Sequence, residues 1–460
     1  MENIQKLNIA RKITSRGIDV VVENQKFSIV YPGKVWQELP KPLKELFSDN
    51  ITFAETNFLP IMLDKKGANY NFGYPLGEPF LFKNQLFDML DCERSDSVSH
   101  LSYLKRFYNL EFNYLPDQEK SPKPGDIEQW NRSKVKAVLP FSFGKESLTT
   151  FALCLELGIE PILVYCQEPV QPYEEKYKLN KLKLLAKEFN VQTYFIKHQP
   201  GLFRYGRAFN LKEKTELGWG SQTTLLSLLV LPFVYRHQAQ YILTGSEYLN
   251  NDISFKAGWK IFYSADQTAE MSLAKNALIG VLTNQQCAVK NSLEPLEELL
   301  IFFFLIHRYP KIASYMFSCM AEKPLIGGSQ WCHKCHKCNQ MFLNAVACGF
   351  DPAKLGFKEN LLESSRFFEE CFADPWKVFL PDPDLEFAFM IALRRGLKFR
   401  YLKYLKAFQK IVLPRVGKKW SYYNNFFTSL KLADNLPLPY RGRMIKIFQE
   451  EIDCFKKILP

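Results

Sequence analysis

Four short apolar runs, separated by polar or amphipathic stretches, organise the middle of the chain. Val135–Phe141, Glu160–Tyr165, Val191–Ile196 and Tyr241–Gly245 each have the length and apolar continuity of a strand covered on both faces. The first run passes through a glycine turn into a helix-like stretch ending near Leu157. Tyr173–Asn190 reads as a charged amphipathic helix and Gln222–His237 as a buried one. Strands alternating with helices of this length predict parallel βαβ units. The expected fold is therefore α/β, a doubly wound parallel sheet over residues 135–292. In such sheets the ligand crevice lies beyond the carboxyl ends of the strands.

The flanks differ from this centre. Residues 1–115 mix strand-like runs (Ile18–Val22, Phe27–Tyr31) with Pro- and Asn-rich turns and are expected to form an N-terminal α+β domain. Residues 116–134, rich in proline and charge, read as a linker. Beyond Ser292 the pattern turns helical. Residues 293–350 form a helical segment with a cysteine knuckle, and 351–460 a basic, aromatic, helical C-terminal region.

Composition narrows the class. Of 460 residues, 47% are hydrophobic and 23% charged, which excludes a disordered or fibrous chain. The net charge of +12 suits an anionic partner, a nucleotide-like small molecule or a nucleic acid. No signal-peptide pattern opens the sequence, and the greasiest segments, Leu225–Tyr235 and Leu299–Ile306, are too short to span a bilayer. A cytoplasmic protein without membrane contact is expected, with its eleven cysteines reduced and clustered ones serving as metal ligands.

Ser142-Phe143-Gly144-Lys145-Glu146-Ser147 falls where the first central strand turns into the first helix. Gly144 permits a tight turn and close backbone approach. Ser142 and Ser147 offer hydroxyls, and a helix starting near Lys145 aims its amide groups and positive dipole end at an anion. Lys145 adds a charge, and Glu146 is placed to hold Mg2+ or its water. The fourth strand ends in Gly245-Ser246-Glu247, which the switch-point rule brings to the same crevice. There Gly245 admits a nucleotide, and Glu247 is a candidate magnesium ligand or base.

Cys332, Cys335 and Cys338 stand at C-x2-C-x2-C spacing, with Cys319 upstream and Cys348 downstream. Cys319, Cys332, Cys335 and Cys338 would make a closed tetrathiolate site for a structural Zn2+; His333, His336 or Cys348 are alternative ligands. An iron–sulfur cluster uses similar ligands. The other histidines are isolated, and spacing assembles no Ser-His-Asp or Cys-His nucleophile set.

The loop resembles the SGGxDS loop of the N-type ATP pyrophosphatases, the PP-loop superfamily, with Phe143 at that family's middle glycine and Glu146 at its aspartate. The resemblance implies a fold of that type, ATP and Mg2+ as cofactors, and cleavage of ATP to AMP and diphosphate with transfer of AMP to a carbonyl or carboxyl oxygen. Ser142, Phe143, Gly144, Lys145, Glu146, Ser147, Gly245 and Ser246 would be the ATP-binding residues. The cysteine cluster is similar to that of the 7-cyano-7-deazaguanine synthases. The overall layout is more similar to the UDP-N-acetylmuramoyl-L-alanyl-L-glutamate epimerases, through Phe317-Ser318-Cys319, Trp331 to Cys338, Met341-Phe342-Leu343, Asn360-Leu361-Leu362 and Glu386-Phe387-Ala388.

That likeness implies adenylation of a carboxylate, on a UDP-linked substrate of peptidoglycan synthesis. The adenylate removes the charge that opposes a carbanion, so a base takes the Cα proton and the centre inverts. Lys145, Glu247, Asp266 and Glu270 are the candidate catalytic residues, the three acids as bases. The second class of function is a zinc-stapled RNA-binding or tRNA-modifying protein, motivated by the charge and by the interleaved Arg, Lys, Phe and Tyr of Leu393–Lys410.

Overall fold

A computed structural model describes residues 6–91, 99–116, 129–130, 133–169, 172–211, 217–256, 258–262, 264–319, 330–363, 383–396, 409–410, 413–431 and 433–460. The strands are β1 (Lys6–Thr14), β2 (Gly17–Val22), β3 (Gln25–Val30), β4 (Gly67–Tyr70), β5 (Glu111–Asn113), β6 (Lys136–Pro140), β7 (Glu160–Gln167), β8 (Gln192–His198), β9 (Tyr241–Thr244), β10 (Ile253–Lys256), β11 (Trp259–Phe262) and β12 (Ala288–Asn291). Ten of them form one sheet in the order β12-β9-β6-β7-β8-β3-β2-β1-β4-β5, and β10 and β11 make a separate hairpin. The segment from β12 to β8 is entirely parallel.

Its strands obey the period of two. Ala137, Leu139, Leu163 and Tyr165 join one buried cluster, whereas Val138, Ile162, Val164 and Ile242 join the other. Both faces are thus covered, which is why these strands read as unbroken apolar runs. Each of the four central runs is a strand. β12 was not anticipated: four residues with a lysine among them carry no strand signature.

Two expectations change on folding. Gln222–His237 is two helices, Gln222–Leu229 and Leu231–His237, because Pro232 belongs in a first helical turn and cannot donate within a continuous helix. The N-terminal strands also continue the central sheet, since β3 pairs antiparallel with β8 at Ile29 with His198 and Val30 with Lys197. Residues 1–115 and 135–292 therefore share a sheet. Of the linker, 117–128 and 131–132 lie outside the described residues, and Trp130 is buried in the second core.

The first face is closed by helices from the C-terminal half. Glu298–Arg308 is apolar nearly all round because it is buried, packed on Lys145–Leu157 and Arg441–Ile458. Among the described residues no helix is long and apolar enough to cross a membrane. Most of Leu393–Lys410, on which the RNA reading rested, lies outside the described residues.

Candidate functional site

A cavity of about 750 Å³ opens at the carboxyl ends of β6, β7 and β9. Its floor is the turn between β6 and the helix Lys145–Leu157, where Gly144 is the N-cap residue. Ser142, Gly144, Glu146 and Ser147 all line it, so the start of that helix, whose first amides have no partner within the helix, borders the cavity. The hydroxyls brace the turn: Ser147 donates to the Gly144 carbonyl at 3.1 Å and accepts from the Ser142 amide at 3.4 Å.

Phe143 does not line the cavity. It takes the left-handed conformation at φ 65°, the backbone a glycine would adopt there, and turns its ring beneath the loop onto Phe141 and Tyr165. Its carbonyl accepts from the Phe317 amide at 2.9 Å, which ties the loop to the segment entering the cysteine cluster.

Lys145 is buried, and its ammonium is not on the cavity wall. It bonds Glu146 and lies 3.4 Å from Glu298 and 3.9 Å from Glu247. Burial opposes its charge, but the carboxylates Glu146, Glu298 and Glu247 outweigh burial and hold it protonated. For Glu146 burial is likewise outweighed by Lys145, leaving the acid below its ordinary range. Glu247 goes the other way: burial first, then the charge of Glu298, pushes it well above that range. Glu247 Oε2 and Glu298 Oε1 are buried without hydrogen-bond partners. These two oxygens are the ones turned toward Lys145; the residues Glu146, Glu247 and Glu298 all line the cavity, an oxygen donor set suited to a hard divalent cation.

The other acids named from sequence are placed differently. Asp266 is buried off the cavity; its carboxylate accepts from the Thr223 amide at 2.7 Å and the Thr223 hydroxyl at 2.8 Å. With these bonds made, it serves to position the helix Gln222–Leu229. Glu270 is half exposed and pairs with Lys83 and Lys260, also off the cavity wall. Neither lines the cavity, and of these three acids only Glu247 does. Gly245 and Ser246 line the cavity, but a Cβ on Gly245 would come within 2.7 Å of Thr150 Oγ1, so this glycine admits a neighbouring helix. Ser246 is held by Asn291 through its amide and carbonyl, both at 2.9 Å.

The cysteine cluster adjoins the cavity, which Cys319 lines. The sulfurs of Cys319, Cys332, Cys335 and Cys338 lie within 4.8 Å of one another, with Cys332–Cys338 at 3.7 Å and Cys335–Cys338 at 3.5 Å. A tetrahedron of thiolates around an ion at ~2.3 Å has edges of ~3.8 Å, so the four sulfurs fit a single metal. The amides of Lys334 and Cys335 donate to Cys332 Sγ at 3.4 and 3.3 Å, which favours the thiolate. Cys335 caps the helix His336–Ala347, and His336, Lys337 and Gln340 from its first two turns reach the cavity. His333, His336 and Cys348 are not in the cluster.

Several wall residues escaped the sequence reading. Glu298 heads an otherwise apolar helix, and an acid at the front of such a run was an available signal. Lys178, Lys337, Tyr205 and Trp219 carried none, because long-range packing brings them together. No family model matches the chain, and no curated protein matches it either.

Proposed function

We propose that the chain is an ATP-dependent enzyme of the PP-loop type that adenylates a substrate carboxylate, releasing diphosphate. The observation that carries this reading is the braced Ser142–Ser147 turn, which presents a helix N-terminus to a cavity large enough for a nucleotide and a second ligand. A second helix start, at His336, and Lys337 supply positive potential from across the same space. Tyr205 and Trp219 offer aromatic surface for a base.

Glu146 and Glu298 would hold Mg2+, which when bound neutralises phosphate charge as diphosphate departs. Lys145 keeps these carboxylates together by its fixed charge. Cys319, Cys332, Cys335 and Cys338 would hold Zn2+, a closed site that aims the His336 helix. Once the carboxylate is esterified, Glu247 is the acid on the wall able to exchange a proton with the substrate Cα. On that basis epimerisation of a terminal L-glutamate on a UDP-linked muropeptide is the favoured outcome, with cytoplasmic localisation following from such a substrate.

Nucleotide turnover against a panel of carboxylates tests this. AMP and diphosphate should appear only with the amino-acid-bearing UDP-sugar, and deuterium from solvent should enter its Cα. Formation of ADP and phosphate would overturn the reading. The paired substitution Ser142→Ala and Ser147→Ala should slow AMP formation about 100-fold. Lys145 is a poor test position, because removing it leaves three carboxylates uncompensated.

A further inference from the structure

A second set of ligating side chains lies on the same cavity, one strand further along. Cys166 and Glu168 are two apart at the end of β7, and His198 closes β8. The parallel register pairs Cys166 with Ile196 and Gln167 with Lys197, so Cys166, Glu168 and His198 fall on one face of the sheet. Their Sγ, carboxylate oxygen and ring nitrogen all lie within 4.8 Å of one another. Cys166 and Glu168 line the cavity, and His198 is fully buried behind them.

Two of the three ligands are held from behind. Glu55, on the N-terminal helix Lys41–Thr56, bonds His198 Nε2. Nδ1 is left buried without an aligned hydrogen-bond partner, 3.4 Å from Glu168 Oε1. A carboxylate behind a histidine, fixing its tautomer and aiming the other nitrogen, is the usual support of a metal-binding imidazole. Arg204 bonds Glu168, and Gly201 lets the backbone pack so closely that a Cβ there would lie 2.8 Å from its carboxyl carbon.

We propose that Cys166, Glu168 and His198 bind a divalent transition-metal ion, zinc-like in preference, with its remaining coordination position open to the cavity. Three protein ligands of mixed N, S and O type with one open side suit an ion that takes up water or an anionic oxygen of the cavity's ligand. The proposal is independent of the nucleotide reading.

The test uses the full chain stripped with chelator and titrated with Co2+ alone. Wild type should bind one equivalent more than Cys166→Ser and Cys166→Ala, and the variants should retain the wild-type circular dichroism. Equal stoichiometry in folded wild type and variants would overturn the proposal. A second readout needs no variant. Saturating Zn2+ should slow iodoacetamide labelling of Cys166, followed by peptide mass spectrometry, about tenfold. Labelling at the same rate with and without Zn2+ would refute the site.

Discussion

Two buried groups beside one cavity are made of the same residue types and are spent differently. Around Lys145 stand Glu146, Glu247 and Glu298, the last two reaching it through ion pairs alone, without a hydrogen bond. Around Lys275 stands Asp266, whose carboxylate accepts twice from Thr223, while Lys275 donates to the Asp266 carbonyl at 2.7 Å and to Thr223 Oγ1 at 2.9 Å. Burial pushes both Glu247 and Asp266 above the ordinary carboxylate range, so burial does not separate them. Partners do. The Asp266 set has its polar groups satisfied and holds two helices in place. The Lys145 set keeps surplus negative charge on a cavity wall, where an incoming cation can use it.

The comparison depends first on the cavity residues next to the cysteine cluster being held in place. Cys335→Ser should remove bound zinc and lower stability by on the order of 5 kcal/mol, read from metal content and denaturant midpoint together. Retained zinc with an unchanged midpoint would detach the cysteines from the fold. Next, Asp266→Ala strands the Thr223 amide and should destabilise by ~3 kcal/mol while turnover per folded molecule persists. Loss of turnover at full stability would make Asp266 a chemical residue after all. Glu247→Gln is the mirror case: turnover should fall about 100-fold, and the urea midpoint should hold or rise.

The smallest effect is in pH. Folded Glu247 keeps a proton at pH values above 4.5, where the unfolded chain releases it, so the folded state binds more protons there. Its contribution to stability is therefore present at low pH and lost as pH rises above 4.5. Glu247→Gln should flatten that slope, by up to about 1 kcal/mol per pH unit. Urea melts at a series of pH values measure it, and an unchanged slope would mean that Glu247 is ionised in the fold.

Particular residues show what could be read in advance. The four central strands were legible because burial on both faces demands unbroken apolar runs. The Ser142–Ser147 turn was legible because a strand, a glycine and a helix start follow one another in the chain. Phe143 was only half legible. Its place in the loop was visible, but the φ of 65° and the inward ring follow from packing on Phe141 and Tyr165. Asp266 and Glu270 looked equivalent to Glu247 in a polar stretch. Their partners, Thr223 for one and Lys83 for the other, come from distant elements.

Local pattern alone thus marked the central strands, the glycine turn at Ser142–Ser147 and the C-x2-C-x2-C run, since each of these is written in a short stretch of neighbouring residues. Tertiary structure decided which acids line the cavity, joined the N-terminal strands to the sheet through β3 and β8, and set Glu55 behind His198 next to Cys166 and Glu168. The reason is electrostatic and steric. A side chain's chemistry depends on which polar groups fall within a few ångströms of it, and here those neighbours come from strands and helices far apart in the chain.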